Sequence, residues 1–385
     1  MLENLDTISW STLIHAYGSA SDVPGQIRAL TSNNKKKRDR ALWELYGNIF
    51  HQGTRYEATP YAIPFLYELL DMSSIEEKEK IIYLLVNLAL GYEEEYLPEG
   101  FDPKDFRCRM AKTELNLTPN ERSECKKYGF SPPVVIDCYD AVLKGVQLLL
   151  KLLDNPDVKI RQAATYALAW FPEIANDSVR TIRNRLERET DDLSIANIIL
   201  AIGLLARQSK HEINLAGFEN YLSSQNTLII KVAASIALAN DPLKEDILDT
   251  LIEAIINPEK LKKMSEGLMF NEGNLAGYAS LVLASSGKRA CDRVIPALCE
   301  TLKLVNVYQS LDVTQALLNL TVTDPTTPVK EKPVASLTPL QKKAFTAIAE
   351  HGGWKCNDAT FVNYCQLVQA YGLPDSQEAL VQYLS

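Results

Sequence analysis

The chain has 385 residues, enough for two ordinary domains or one array of repeats, and its 46% hydrophobic and 23% charged residues are typical of a folded, water-soluble protein. The net charge of −9 disfavours a general nucleic-acid-binding protein, because neutralising phosphates requires a basic surface. The seven cysteines include no C-x-x-C pair, which favours free thiols in the cytoplasm over a disulfide framework.

No membrane partner is expected. The N-terminal residues lack the basic and apolar segments of a secretion signal. The longest apolar run, at 195–206, is too short to cross a bilayer.

The N-terminal residues 1–34 are predicted to form a helical cap, because Trp10, Leu13 and Tyr17 recur at helical spacing. The basic run at 35–40 follows and allows an anionic partner. In an acidic chain, however, it favours a solvated helix start.

Two motifs recur and indicate helical hairpins. Ala163–Ala169 reads AATYALA and Ala233–Ala239 reads AASIALA, with a similar unit at 196–206 between them, so the period is about 35 residues. A second pattern, I-P-x-L-x-E-x-L, is present at 63–70 and again at 295–302. We therefore predict an alanine-rich first helix and a second helix with an early proline in each hairpin.

These patterns divide the chain. The first hairpins are expected at 35–91 and further repeats at 138–322. Residues 92–137 are rich in charge and proline and are predicted to be an irregular insertion with at most a short helix over 110–117. Residues 323–339 are predicted to be a linker, and residues 340–385 are predicted to form C-terminal capping helices. Thr59 and Thr338 are candidate N-caps of the helices that follow them.

The stretch at 157–173, DVKIRQAATYALAWFPE, resembles the first helix of HEAT-type repeats, and the likeness recurs weakly over 38–320. The block at 41–70 resembles uncharacterised bacterial HEAT-repeat proteins. The resemblance implies an all-α, HEAT-like α-solenoid of the armadillo-like kind, interrupted by one long insertion. It implies no particular activity. Arg161 is expected to bind a carboxylate or helix end in the adjacent repeat, with Asp157 as one candidate.

No catalytic residue, metal site or cofactor is predicted, so the chain is not expected to be an enzyme. The sequence holds one His-Glu dipeptide, His211-Glu212, too few for the di-iron site of a HEAT-type hydroxylase. Phosphate-binding glycine loops and the common hydrolase motifs are also missing from the sequence. Trp43, Trp170 and Trp354 are expected to pack in the core or between repeats.

Two groups of residues are candidates for binding. The first is His51, Arg55, Tyr56 and Glu57, a loop whose mixed charges and aromatic ring could grip an anionic or peptide ligand. The alternative is that Arg55 and Glu57 pair with each other and Tyr56 plugs the hairpin.

The second group consists of acidic residues between two tyrosines, Tyr92, Glu93, Glu94, Glu95 and Tyr96. Acidic and aromatic side chains together suit a basic protein partner. The alternative is a flexible, solvated loop.

The sequence thus favours a non-enzymatic protein-binding scaffold or adaptor that engages a protein or peptide, plausibly a basic one, on its concave face. An immunity protein or antitoxin that neutralises a basic toxin is one specialised form. The alternative is a nucleic-acid-processing enzyme like the HEAT-type DNA glycosylases, or a protein like the bilin lyases.

Overall fold

The computed structural model describes residues 2–209, 213–323 and 326–385. Two compact units divide the chain. Unit 1 comprises Met1–Glu189 with Leu204–Ile213, and unit 2 comprises Thr190–Gly203 with Asn214–Ser385. Within each unit, helices pack against near neighbours along the chain in an all-α, solenoid-like arrangement, as predicted. His211 and Glu212 lie outside the described residues.

The secondary structure of unit 1 begins with two 3₁₀ turns and two short hairpins among the first helices. The elements up to the unit boundary are β1 (Ile14–His15), β2 (Gly18–Ser19), α1 (Val23–Ala29), α2 (Lys35–Ile49), β3 (Phe50–His51), β4 (Thr54–Arg55), α3 (Thr59–Asp71), α4 (Lys78–Leu90), α5 (Pro103–Asn116), α6 (Pro119–Tyr128), α7 (Pro132–Gly145), α8 (Gln147–Leu152), α9 (Val158–Leu168) and α10 (Ala175–Leu186).

The boundary between the units falls within α11 (Asp192–Gln208). The later elements are α12 (Leu228–Leu238), α13 (Glu245–Ile255), α14 (Pro258–Met264), α15 (Leu275–Ser286), α16 (Cys291–Leu302), α17 (Ser310–Thr321), α18 (Pro339–His351), β5 (Lys355–Cys356), β6 (Ala359–Thr360), α19 (Val362–Ala370) and α20 (Gln377–Leu384). No described helix is both long enough and apolar enough to span a bilayer.

The N-terminal segment differs from the predicted helical cap. Its only α-helix in the described part is α1, preceded by the antiparallel pair β1–β2. The backbone N–H of Ala16 donates to the carbonyl of Asn48 at 3.0 Å, which ties the hairpin to the end of α2. The backbone hydrogen bonds within the hairpin and to Asn48 replace the helix that the spacing of Trp10, Leu13 and Tyr17 predicted.

The core of unit 1 is built around α4, which packs against α7 and α9. Asp157 caps α9 by accepting from the N–H of Lys159. The alanines of α9 are buried, and their small size lets the helix approach its neighbours closely. Arg161 binds Glu189 at 3.3 Å and the carbonyls of Asn155 and Pro156, not Asp157.

Unit 2 repeats one packing scheme. Two rows of helices can be followed. One row consists of α12, α15 and α17, and the other of α13, α16 and α18. Each helix contacts its neighbours in its own row and in the other row. A Cβ added to Gly203 would lie 2.5 Å from the Cβ of Ala237, so these two small residues permit close contact. Each fully buried Leu or Ile in such rows contributes about 2 kcal/mol.

The segment at 92–137 is not irregular. Three helices, α5, α6 and the first part of α7, occupy most of it. Each begins with proline at its first position, where the missing N–H costs nothing. Helix α7 packs against α3, α4 and α5, whereas α6 has no buried residue.

The described part of the predicted linker, 326–339, contains two 3₁₀ turns and is attached to α20. The Tyr383 hydroxyl lies 2.9 Å from the carbonyls of both Val329 and Lys332. Asp324 and Pro325 lie outside the described residues. Thr338 caps α18 in a capping box with Gln341, as expected. Thr59 does not cap α3, because its hydroxyl donates to the carbonyl of Ile49.

Candidate functional site

The first predicted group lies on the hairpin β3–β4 of unit 1. Phe50 pairs with Arg55 and His51 with Thr54. Gln52 and Gly53 have φ of 50° and 81°. Positive φ at both central residues is typical of a type I′ turn, whose twist matches that of the paired strands.

Arg55 does not face solvent, so it cannot grip a ligand as predicted. Its residue is 7% exposed, and its Nη1 donates to the carbonyl of Gly53 at 2.6 Å. Burial lowers the pKa of its guanidinium. No described carboxylate forms an ion pair with it, so the alternative pairing with Glu57 is also wrong. Gly91 lies beside Nη1, and its φ of 88° favours glycine at this position.

Tyr56 and Glu57 have structural contacts. Tyr56 is buried and plugs the hairpin, as the alternative interpretation expected. The backbone N–H of Glu57 donates to the carbonyl of Gly129 at 2.7 Å, which ties this loop to the end of α6. Of the first group, the side chains of His51 and Glu57 remain candidates for ligand contact, because both residues are half-buried whereas Arg55 and Tyr56 are buried.

The second predicted group does not form an exposed acidic patch. Glu93 is buried close to Tyr166, whose pKa burial raises well above its usual value. Tyr92 packs edge-on against Phe50 with ring centroids 5.9 Å apart, and 39% of its surface stays exposed. Glu95 is exposed and Glu94 is half-buried. A basic partner would therefore find one exposed and one half-buried carboxylate here, where three were predicted.

Tyr96 completes this second group and also packs inward. Its ring stands edge-on to Phe101 at 4.9 Å between centroids. Its hydroxyl donates to the carbonyl of Leu90 at 3.3 Å. These contacts hold the turn after α4 against the core.

An exposed aromatic surface lies instead beside α2, where Trp43 of α2, Tyr17 of the β1–β2 turn and His51 of β3 are found, and sequence reasoning missed it. It consists of Tyr17, Trp43 and His51, which we call the α2 aromatic surface. Trp43 is 76% exposed and Tyr17 is 69% exposed. The Tyr17 hydroxyl lies 3.3 Å from Nδ1 of His51, and the two rings are 5.4 Å apart.

Gly47 connects the members of this surface. It lies one helical turn after Trp43 on the same face of α2. A Cβ on Gly47 would lie 3.9 Å from the Tyr17 ring. The prediction that Trp43 packs internally is therefore wrong. The signal was present, since Trp43 falls outside the stripe of Leu45 and Ile49 that α2 buries.

A groove of about 540 Å³ separates α1 from α2. Its polar residues include Asp22, Gln26 and Asn48. The Asp22 carboxylate accepts from Gln26 Nε2 at 2.9 Å and from Asn48 Nδ2 at 3.0 Å. Its other oxygen lies 2.9 Å from Nε2 of His15. The cluster therefore holds one carboxylate between two amides and an imidazole.

A second groove, of about 590 Å³, lies between α3 and α7. Pro60, Pro64 and Tyr61 line one side, and the carboxylates of Asp137 and Asp140 lie on the other. Arg107 already pairs with Asp140, so half of this charge is neutralised within the chain.

The basic run starts α2, and its side chains are exposed as the solvated-helix interpretation expected, except that of Arg38, which is buried. Three of its five cations have carboxylate partners. Lys35 contacts Glu77 at 2.7 Å, and this hydrogen bond with that of Lys80 lowers the pKa of Glu77 to about 2. Arg38 pairs with Glu76, and Arg40 with Glu44. Among the described residues, no cluster of three or more His, Cys, Asp or Glu could hold a metal ion.

No protein-family model matches the chain, and no curated protein matches it. Among solved structures, the chain is similar to the crystal structure of an engineered protein from the Northeast Structural Genomics Consortium. The sequences are 16% identical, over 94% of this chain and 99% of that chain. The TM-score of 0.29 is too low for this similarity to support an argument about fold or function. The HEAT resemblance therefore stays a prediction.

Proposed function

We propose that the chain is a non-enzymatic protein-binding scaffold and that a partner protein docks on the α2 aromatic surface of unit 1. The observation that carries the proposal is the exposure of Trp43 and Tyr17 beside His51. Large aromatic side chains bury much area at little cost in conformational entropy, and Trp and Tyr dominate the binding energy of many interfaces.

The charges near this surface favour a protein over a nucleic acid. Of the basic run, Lys35, Arg38 and Arg40 have carboxylate partners and are not free to neutralise phosphates. The whole chain carries a net charge of −9. A partner with basic side chains would approach such a surface faster than an acidic one.

The test is affinity capture from nuclease-treated native lysate, followed by titration of the purified partner against wild type and a Tyr17→Ala/Trp43→Ala variant. We expect the dissociation constant to rise at least about 30-fold, the equivalent of about 2 kcal/mol. Both side chains are exposed, so the melting temperature should change little.

Leu115→Ala is the control, because Leu115 is an exposed apolar residue of unit 1 on α5, a helix that packs against α7. This control should bind the partner like wild type. Equal binding by the double variant would contradict the proposal. Capture that disappears with nuclease would favour the nucleic-acid alternative.

A further inference from the structure

We propose that the buried imidazole of His15 positions Tyr17 within the α2 aromatic surface, and that protonation of this imidazole in acid releases Tyr17 and weakens partner docking. The inference rests on the proposed function, because it names how docking on that surface would be regulated. His15 is a positioning residue, since it would act on the partner only through Tyr17. The contact between the two residues is a direct hydrogen bond.

The hydrogen bonds of His15 define its protonation state. Its Nδ1 accepts from the backbone N–H of Tyr17 at 3.0 Å, so Nδ1 carries no proton. The proton of the neutral imidazole then lies on Nε2, which donates to the Asp22 carboxylate at 2.9 Å. A second proton can bind only to Nδ1, where the N–H of the imidazolium would face the N–H of Tyr17. Protonation therefore breaks the hydrogen bond between His15 and Tyr17.

The contacts around the two residues show which of them would move. His15 is 4% exposed, and its ring is fixed by Asp22. Asp22 in turn accepts from the amides of Gln26 and Asn48. The Asp22 carboxylate also attracts the added positive charge, so the imidazolium keeps this partner. Tyr17, in contrast, is 69% exposed and lies in the turn between β1 and β2, so we expect this turn to open while His15 stays in place.

Asp22 is the one charged group of the described chain with which His15 forms a hydrogen bond. The elements next to the first hairpin carry further charged or titratable residues, which are Arg28 on α1, Lys37, Arg40 and Glu44 on α2, His51 on β3 and Glu57 after β4. Within the described chain, none of these forms a hydrogen bond or an ion pair with His15. His51 contacts the Tyr17 hydroxyl, and a protonated His51 keeps this contact, because the hydroxyl oxygen can accept from an imidazolium.

The first test uses the purified full chain without a partner. NMR follows the ring nitrogens of His15 and the backbone amide of Tyr17 between pH 7.5 and pH 5.0, a range in which imidazole groups change their charge. At pH 7.5 we expect a protonated Nε2 and an unprotonated Nδ1. On acidification the Tyr17 amide signal should shift with the same midpoint as the Nδ1 signal, and the nuclear Overhauser contacts between the rings of Tyr17 and His51 should be lost.

Three results of this titration would overturn the inference. They are a proton on Nδ1 of His15 at pH 7.5, no protonation of His15 down to pH 5.0, and a Tyr17 that keeps its amide signal and its ring contacts while His15 is protonated.

The second test compares partner binding by wild type and His15→Asn. The Oδ1 of asparagine accepts from the backbone N–H two residues on, as Nδ1 does here, but it does not titrate. Wild type should bind the captured partner at least about fivefold more weakly at pH 5.0 than at pH 7.5, and His15→Asn should lose most of this difference. The comparison removes the effects of His51 and of the partner's own groups, because both proteins share them. Equal pH dependence of the two proteins would contradict the inference, and if circular dichroism shows that His15→Asn does not fold, the NMR titration decides.

The two proposals can fail separately. Coupled titration of His15 and Tyr17 with no captured partner would support the link between these residues and count against the proposed function. Conversely, a partner whose affinity depends on Trp43 and Tyr17 but is the same at both pH values in wild type would keep the proposed function and eliminate the regulation by His15.

Discussion

Arg38 and Arg55 of unit 1 are almost equally buried, at 6% and 7% exposure, yet their surroundings differ. Arg38 pairs with Glu76 and Glu77 and donates to the carbonyl of Ser32 at 2.9 Å. The Arg55 guanidinium donates to the carbonyl of Gly53, and its Nε has no partner among the described residues. Burial of the guanidinium charge is costly at both residues, but only at Arg38 do carboxylates offset this cost.

The comparison separates two roles that look alike in the sequence. Arg38 joins the start of α2 to the residues before α4, so its charge holds elements together. Arg55 fills space beside Gly91 and stiffens its own hairpin. A buried arginine therefore stabilises the fold only where carboxylates pair with it.

The largest expected effect is that of Arg38→Met. Methionine keeps much of the volume but removes the hydrogen bonds of the buried guanidinium to Glu76 and Ser32, while Glu77 keeps Lys35 and Lys80 as partners. The free energy of unfolding should therefore fall by about 2 kcal/mol. Urea denaturation at pH 7 measures it. Arg40→Met, which removes an exposed i,i+4 pair, is the control and should cost less than about 1 kcal/mol. If the two variants lost the same free energy of unfolding, the buried ion pair would contribute no more to stability than the exposed one.

Asp312 in unit 2 extends the comparison to a carboxylate with neutral partners only. Asn271 and Asn274 donate to its Oδ2 at 2.8 and 2.7 Å. Burial raises the pKa of Asp312 to about 6 from 3.8. The folded state therefore holds this proton more tightly than the unfolded state, so its contribution to stability is present below pH 3.8 and is lost as the pH rises through about 6.

Asp312→Asn should remove this dependence. The difference in unfolding free energy between variant and wild type should change by about 2 kcal/mol between pH 4 and pH 7. Chemical denaturation at several pH values measures it. A difference that is constant across this range would show that Asp312 ionises without cost.

Arg55→Met should have the smallest effect. The change removes one hydrogen bond but also a buried charge that has no ion-pair partner in the described chain, so stability should change by less than about 1 kcal/mol. Thermal and urea denaturation measure it against Arg38→Met. A loss as large as that of Arg38→Met would show that the Gly53 contact outweighs the cost of burial.

Much of the fold could be predicted from local patterns. The alanine-rich helices α9 and α12 and the capping box of α18 follow from periodicity and capping rules. Between 103 and 137 only part of α5 was predicted, as a short helix over 110–117, because the prolines and charges of this segment were interpreted as signs of irregular structure. Each proline follows a capping type of residue, Asp102, Thr118 or Ser131, and this order marks a helix start.

The candidate site was less predictable, because it depends on where side chains point after distant segments meet. Arg55 faces inward because β4 pairs with β3 and alternates its side chains. The cluster at Asp22 needs Asn48 from α2 and His15 from the first hairpin. These contacts join residues that are distant in the sequence, so residue spacing does not predict them. The exposed position of Trp43, in contrast, could have been predicted, because Trp43 lies outside the apolar stripe of α2.

Helix α6 has a consequence for the dynamics of unit 1. It buries no residue, and its capping box at Thr118 and its C-cap at Gly129 supply much of its order. Such a helix can open locally without exposing the core, at a free energy far below that of global unfolding. Since the carbonyl of Gly129 accepts from the backbone of Glu57, each opening would also remove one hydrogen bond from the loop after β4, which keeps its bond from Ala58 to Ile14. The loop that carries Tyr56 and Glu57 is thus coupled to the least protected helix of its unit.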